Sequence, residues 1–347
     1  MNWVAQNYFR ADTHSAASTR VFNYHAEQPL ASVWGGGDMA SADGMRLVIP
    51  VSTIHAGYNP RYFGRQRGST LHTWMSDTHS SFHQTLIPGT QRDSLYTLDG
   101  LVANKTTIKP DTVSTDTAGA SEIVFALSWT LGYRYAPRLK DLGDHRLWRI
   151  DPSADYGDLS GLARNQINTN LIAEEWDEIC RLTASLEAGT VLPSTIMRTL
   201  QRGPNPSRLA RALIELGRIV KTLHILNYAD DPTYRRDIHR ILNRGESRNG
   251  LARDVFHGNK GKLAQRYQTG QENQLGALGL LVNMIVLWQT VYTQAALDHL
   301  AATGYEIDPA DVARLSPLAH STINLDGRYE TTTRAPDHAL RPLRTDT

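Results

Sequence analysis

Every second residue from 45 to 51 is apolar: Met45, Leu47, Ile49 and Val51 share one side of an extended segment, the period of a half-buried strand. Residues 39–43 predict a shorter strand just before it, after the break at Gly35-Gly36-Gly37. Segments 72–76 and 82–87 carry further strand material, closed by Pro88-Gly89. Residues 93–103 take the helical period, with Leu95, Leu98 and Leu101 or Val102 on one side. A strand over 111–116 and an apolar helix over 121–131 follow, and the aromatic-rich stretches 134–139 and 147–150 predict one or two closing strands. Strands followed by strand–helix alternation predict an α/β core with a mixed sheet.

Past Asp151-Pro152 the pattern is helical. Leu209, Leu213, Leu216, Val220 and Leu223 recur on one helical face, with Pro206 where that helix would begin. Asp231-Pro232 opens another helix to 257, and a long one over 271–302 is ended by Gly304. The chain thus divides into a helical lead-in (1–33), the first part of the core (34–151), a helical insertion (152–230), a second helical part (231–329) and a disordered polar tail (330–347).

Composition narrows the class. Forty per cent hydrophobic residues suffice for a core, and the single cysteine, Cys180, forms no internal disulfide. The longest apolar run, 275–288, is short of the roughly 20 residues that cross a bilayer and predicts a buried helix. No secretory leader stands at Met1, so the chain is expected to be soluble and cytoplasmic, without a membrane partner.

Net charge is only +1, but 30 of the 36 basic residues are Arg, whose planar fork suits phosphate oxygens. No acidic residue occurs over 44–76, where Arg46, Arg61, Arg65 and Arg67 interleave with Tyr58, Tyr62 and Phe63. Over 231–266 nine Arg or Lys face four Asp or Glu. Two basic patches on a near-neutral chain fit a polyanion held on one side; each alone also fits a solvated charged face.

Asp43 and Asp116 each end a predicted strand beside small residues, leaving room for a ligand. If the two strands are neighbours, both carboxylates reach one edge of the sheet. Glu246 lies in a helix beside Gly245, amid Arg240, Arg244 and Arg248. Three gathered carboxylates repel unless cations neutralise them, and oxygen ligands on a phosphodiester call for Mg²⁺ or Mn²⁺. Spacing alone favours reading the Asp residues as turn formers or caps and Glu246 as the partner of an Arg. His79 and His83 read as surface histidines, Cys180 as a small core residue, and Gly35–Gly37 lacks the Lys-Ser or Lys-Thr of a phosphate loop.

Several strings, in order, resemble the C-terminal portion of the Tn-three family of replicative transposases. They are Thr53-Ile54-His55-Ala56-Gly57, Ile87-Pro88-Gly89-Thr90, Arg92-Asp93-Ser94-Leu95 and Thr115-Asp116-Thr117-Ala118-Gly119. Trp148-Arg149-Ile150-Asp151-Pro152, Asn243-Arg244-Gly245-Glu246-Ser247-Arg248, Gly276-Ala277-Leu278-Gly279 and Arg314-Leu315-Ser316-Pro317-Leu318 complete the series, which reaches Tyr329. The resemblance implies a ribonuclease H-like core whose Asp, Asp, Glu triad falls on Asp43, Asp116 and Glu246, spaced by 73 and 130 residues. The long second gap corresponds to a helical insertion before the Glu. It also implies two Mg²⁺ or Mn²⁺ ions, transposon and target DNA as partners, a homo-oligomer on DNA, and nicking followed by strand transfer. A plain nuclease of the same fold and a non-catalytic DNA-binding remnant are the alternatives.

With Glu246 in that role, Arg240, Arg244 and Arg248, four residues apart, are expected to contact DNA as one stripe. Family members are considerably longer, with N-terminal domains for the terminal repeats, and this chain diverges after Ile323-Asn324. A truncated gene or a fragment is therefore expected.

Overall fold

The computed structural model describes residues 2–327, apart from 90, 117–119 and 257–260. The tail expected over 330–347 and the Thr117–Gly119 part of the second Asp string lie outside the described residues.

The helical lead-in comprises α1 (Asn2–Tyr8), α2 (Ala11–Ala26) and α3 (Pro29–Trp34). The strands are β1 (Met39–Val48), β2 (Gly57–Tyr58), β3 (Arg67–Ser76), β4 (Ser81–Pro88), β5 (Thr112–Ser114) and β6 (Arg134–Tyr135), with α4 (Pro60–Phe63), α5 (Asp99–Val102) and α6 (Glu122–Thr130) between them. A separate pair, β7 (Trp148–Arg149) and β8 (Asn165–Gln166), comes next. Then come α7 (Thr169–Glu174), α8 (Trp176–Glu187), α9 (Pro193–Leu200), α10 (Arg208–Asp230), α11 (Pro232–Val255), α12 (Gln268–Ala302) and α13 (Pro309–Val312).

β3 lies antiparallel between β1 and β4, with β2 continuing its outer edge; β1 is parallel to β5, and β5 to β6. The α/β mixed sheet is as expected, but the two strands expected around Asp43 are one. Met39–Val48 runs unbroken, so Asp43 sits mid-strand. Gly44 does not end the strand, because nine consecutive pairings with β3, from Ala40↔Ser76 to Val48↔Gly68, hold it extended. Both sheet faces are covered. Ala40, Ala42 and Trp74 pack into a core with α6 and α10, while Met45, Leu47 and Leu71 pack against α11 and α12 on the other side.

Other expectations need smaller corrections. Residues 93–103 form a 3-10 turn (Asp93–Tyr96) and the short α5 instead of one helix. The 152–230 segment is not helix only, since it includes β8 and a 3-10 turn at Gly157–Gly161. α6 is sandwiched between sheet and α10, which explains its apolar character all round. Gly217 permits that packing, because a Cβ there would run into the Glu122 carbonyl oxygen.

α12 is 35 residues long, well beyond the fourteen-residue apolar run, and by length and composition could cross a membrane. In the fold Leu275, Leu278, Val282 and Val286 are buried along one face, as expected for a core helix; Leu281, Met284 and Trp288 are exposed on the other. Cys180 is exposed on α8 and not a core residue, since the α8 face that packs inward carries Ile179 and Leu186. His79 is likewise not a surface histidine: it is buried, and burial with the Arg244 charge pushes it down to about 2, whereas His83 is half-buried and is lowered to about 4 by desolvation.

Candidate active site

β1 carries Asp43 on the sheet face that α11 covers. Its Oδ1 accepts from its neighbour's backbone, Gly44 N, at 2.7 Å, and its Oδ2 from Asn249 Nδ2 on α11 at 2.8 Å. The parallel register pairs Ser41 with Ser114, so two residues further on Asp43 stands abreast of Asp116, just past the end of β5. Asp116 Oδ1 accepts from Arg138 Nη2 at 2.7 Å in an exposed ion pair. α11 crosses β1 closely because Gly245 has no side chain; a Cβ there would stand 3.0 Å from Ser41 Oγ. Glu246 follows on the exposed flank of the helix, three residues before Asn249 and hence on a neighbouring face.

Electrostatics tie these groups together. Burial raises the Asp43 carboxyl above its ordinary range; the Gly44 N–H opposes this, and the charges of Asp93, Asp116 and Glu246 add to it. Asp43, Asp116 past the end of β5 and the helical Glu246 are therefore within electrostatic range of one another. Among the described residues no three His, Cys, Asp or Glu side chains close into a metal cage. The donor set is nevertheless all oxygen, with the half-buried Asp43 carboxylate sharing its side of the sheet with Asp116 and Glu246, and this fits a hard divalent cation that would cancel the repulsion.

Asp93, whose Arg92-Asp93-Ser94 string was noted, is a nearby charge that the sequence reading missed, and it lies on the opposite face of β1 from Asp43. It approaches β1 at Gly44, where a Cβ would stand 3.2 Å from Asp93 Oδ2. Its partner is Arg46 at 3.5 Å, whose guanidinium lies 3.7 Å from the centre of the Tyr62 ring. Asn249 and Arg138 were missed as well. The i, i+3 spacing from Glu246 was the available signal for Asn249; Arg138 had none, since only the β5–β6 pairing brings it to Asp116.

The arginines divide. Arg61, Arg65 and Arg67 are exposed around α4, as a polyanion surface requires. Arg240 is exposed and paired with Asp237 at 2.9 Å. Arg244 is half-buried, its Nη1 donating to the Trp34 and Asp77 carbonyls at 3.0 and 2.6 Å. Arg248 is buried, donating Nη2 to Ser81 Oγ at 2.7 Å and Asn283 Oδ1 at 3.2 Å, so the expectation that it contacts DNA is corrected. The reason is helical twist: each four-residue step overshoots a full turn by about 40°, and the stripe rotates inward by about 80° between Arg240 and Arg248.

Burial lowers the Arg248 guanidinium to about 10, and among the described residues no carboxylate pairs with it. Ser81 and Asn283 also bond each other, so they stay satisfied without it. Arg248→Met is accordingly expected to keep or raise thermal stability, by on the order of 1–4 kcal/mol at most, because the desolvation cost disappears. Thermal unfolding of the variant checks this, and a clear drop in midpoint would show that the two hydrogen bonds outweigh that cost.

Residues 1–329 match the family profile described as the Tn3 transposase DDE domain. The chain is 47% identical over 329 residues, 95% of its length, to the transposase for transposon gamma-delta of Escherichia coli (strain K12), covering 33% of that protein. It is 44% identical over its full length to the transposase for transposon Tn4556 of Streptomyces fradiae, covering 39% of it. Identity to the transposase for transposon Tn1546 of Enterococcus faecium is 38% over 98% of the chain and 34% of the relative. The chain thus spans about a third of the length of these relatives.

Proposed function

The chain belongs to the family of Tn3 transposase DDE domains, and from that premise we propose that it nicks transposon DNA to leave a 3′-hydroxyl and then joins that end to target DNA. The observation that carries this reading is the half-buried Asp43 carboxyl, held by the Gly44 N–H and Asn249 where β1, the parallel β5 and α11 meet, with Asp116 abreast of it and Glu246 on the exposed flank of α11. The strand order supports a ribonuclease H-like core: in the row β4-β3-β1-β5-β6, β3 alone runs against the others.

Asp43, Asp116 and Glu246 would hold two Mg²⁺ or Mn²⁺ ions. When bound, such ions generate a nucleophile from water or a hydroxyl at neutral pH and stabilise the leaving oxygen. The chain's own residues prepare the place. Asn249 and the Gly44 N–H fix both oxygens of Asp43, so its rotamer is set before any ligand arrives. Arg138 orients Asp116, and the exposed Arg61, Arg65 and Arg67 supply positive charge for the DNA backbone. The reading includes assembly as a homo-oligomer on DNA and a cytoplasmic location.

Incubation with transposon-end DNA, either intact or precut, and a target plasmid in Mg²⁺ or Mn²⁺ tests the proposal. The expected products are nicked ends and, from precut ends, covalent end–target joints. Cleavage without joints would reduce the chain to a nuclease, and DNA binding without either product would overturn the catalytic reading.

A further inference from the structure

α12 holds no Lys or Arg, its carboxylates Glu272 and Asp298 stand near its two ends, and between them it is apolar almost all round. Such a composition belongs to a helix covered on every side. Among the described residues only part of it is covered. Leu275, Leu278, Val282 and Val286 face the core, and α2 packs along the adjoining flank, where Asn283 Nδ2 donates to Ser18 Oγ at 2.8 Å. On the outer side Leu281 is 45% exposed, Met284 49% and Trp288 48%; Ala277 is exposed, and Val291 and Ala295 are half-buried.

Spacing shows what kind of surface this side fits. From Ala277 through Leu281, Met284, Trp288 and Val291 to Ala295 the steps are four, three, four, three and four residues. This is the seam of a coiled coil, about 27 Å long, which takes a second helix at a crossing angle of about 20° with interlocking side chains. A lipid surface asks for no such spacing. Nor is α12 free to cross a bilayer, since its inner side packs into the core and its Asn283 accepts from the buried Arg248.

The seam is its own complement. Its midpoint is residue 286, and an antiparallel copy of α12 turned about that point sets Ala277 against Ala295, Leu281 against Val291 and Met284 against Trp288, each pair twice. One step further at either end, Gln274 meets Asp298, an amide against a carboxylate. A parallel copy would oppose Asp298 to Asp298 and Trp288 to Trp288, a repulsion and a clash of the largest side chains. Among the described residues no other helix presents an apolar seam of this length. The sequence 330–347 offers only Leu340 and Leu343 as large apolar residues and is broken by Pro336 and Pro342.

We propose that the outer face of α12 is an interface between two copies of this chain, paired antiparallel about a two-fold axis at residue 286. The proposal gives the homo-oligomer of the proposed function its contact surface, yet it requires neither DNA nor metal.

Sedimentation equilibrium of the 347-residue chain, free of DNA and metal, over about 1–100 µM tests it, a range set by the small area of one helix pair. The unaltered chain is expected to double its mass within that range. Leu281→Glu and Val291→Lys, each alone, should weaken pairing by about a hundredfold or more, because each puts an uncompensated charge into the seam. Both changes in one chain set each new carboxylate against an ammonium of the partner, and pairing should tighten about tenfold or more over either single variant. A parallel pair would predict the opposite, since like charges would then face each other twice. An unaltered chain that stays monomeric, a dimer indifferent to both single changes, or a combined variant that pairs no better than the single ones overturns the proposal. Far-ultraviolet circular dichroism is read alongside, and the three variants should keep the helix content of the unaltered chain. A chain that pairs and never cleaves upholds the interface and counts against the catalytic reading, whereas a monomer that cleaves does the reverse.

Discussion

Asp43→Asn is expected to lower metal-dependent DNA cleavage by roughly a thousandfold or more while leaving the fold intact, because metal stabilisation of the transition state is worth several kcal/mol. Asn keeps the volume of the side chain and can still meet Asn249 after an amide flip, so packing between β1 and α11 is preserved. What it loses is the negative charge. Without metal that loss favours folding: burial and three nearby anions raise the Asp43 carboxyl, so its ionised form costs stability at neutral pH, and the cost fades as pH falls through its raised pKa. The metal-free variant should therefore unfold at an equal or higher temperature. Added Mg²⁺ or Mn²⁺ should raise the midpoint of the unaltered chain and leave the variant nearly indifferent. Asp116→Asn and Glu246→Gln should match the loss of cleavage, with smaller thermal effects, because both side chains are exposed. Cleavage within tenfold of the unaltered chain in any of the three would remove that residue from the proposed centre.

The second large effect is on stability against acid. Burial lowers His25, His72, His83 and His224 to about 4, and His79 to about 2, against an ordinary 6.5. His72 is the extreme case, fully enclosed with neither ring nitrogen hydrogen-bonded and its ring 4.5 Å from that of Trp74. A depressed imidazole pKa means that the unfolded chain takes up the proton first. Stability is then full above about pH 6.5 and declines as pH falls toward about 4, by about 1.4 kcal/mol per pH unit for each such proton. Five protons over one unit approach the ~5–15 kcal/mol that holds an ordinary domain together. The raised carboxyls of Asp43, Asp77 and Asp99 act in the opposite sense, but they are three groups against five. Cooperative loss of near-ultraviolet circular dichroism is expected at a midpoint of about pH 4–6, reversible on neutralisation. A chain still fully folded at about pH 3.5 would mean that these imidazoles are hydrated or paired in solution.

Much of this molecule was legible along the chain. Periodicity located much of β1 and α10, because each buries one stripe; an all-apolar run marked the enclosed α6, and Asp231-Pro232 marked the start of α11. The family strings singled out Asp43, Asp116 and Glu246, which chemistry keeps in recognisable surroundings. Spacing in one dimension could not show that Asp43 lies mid-strand, since the pairings that carry β1 past Gly44 come from β3. Nor could it separate the arginines of α11. Four-residue spacing marks a helical stripe, but which turn of that stripe goes inward depended on where Ser81 and Asn283 lie, on β4 and α12. The burial of His79 and the approach of Asp93 at Gly44 arise in the same way, from contacts between segments distant in sequence. Local pattern determined most of the elements that form and marked the residues proposed for the chemistry. The tertiary structure decided which charges face solvent, because burial is set by the partner element and is not a property of the segment that bears the charge.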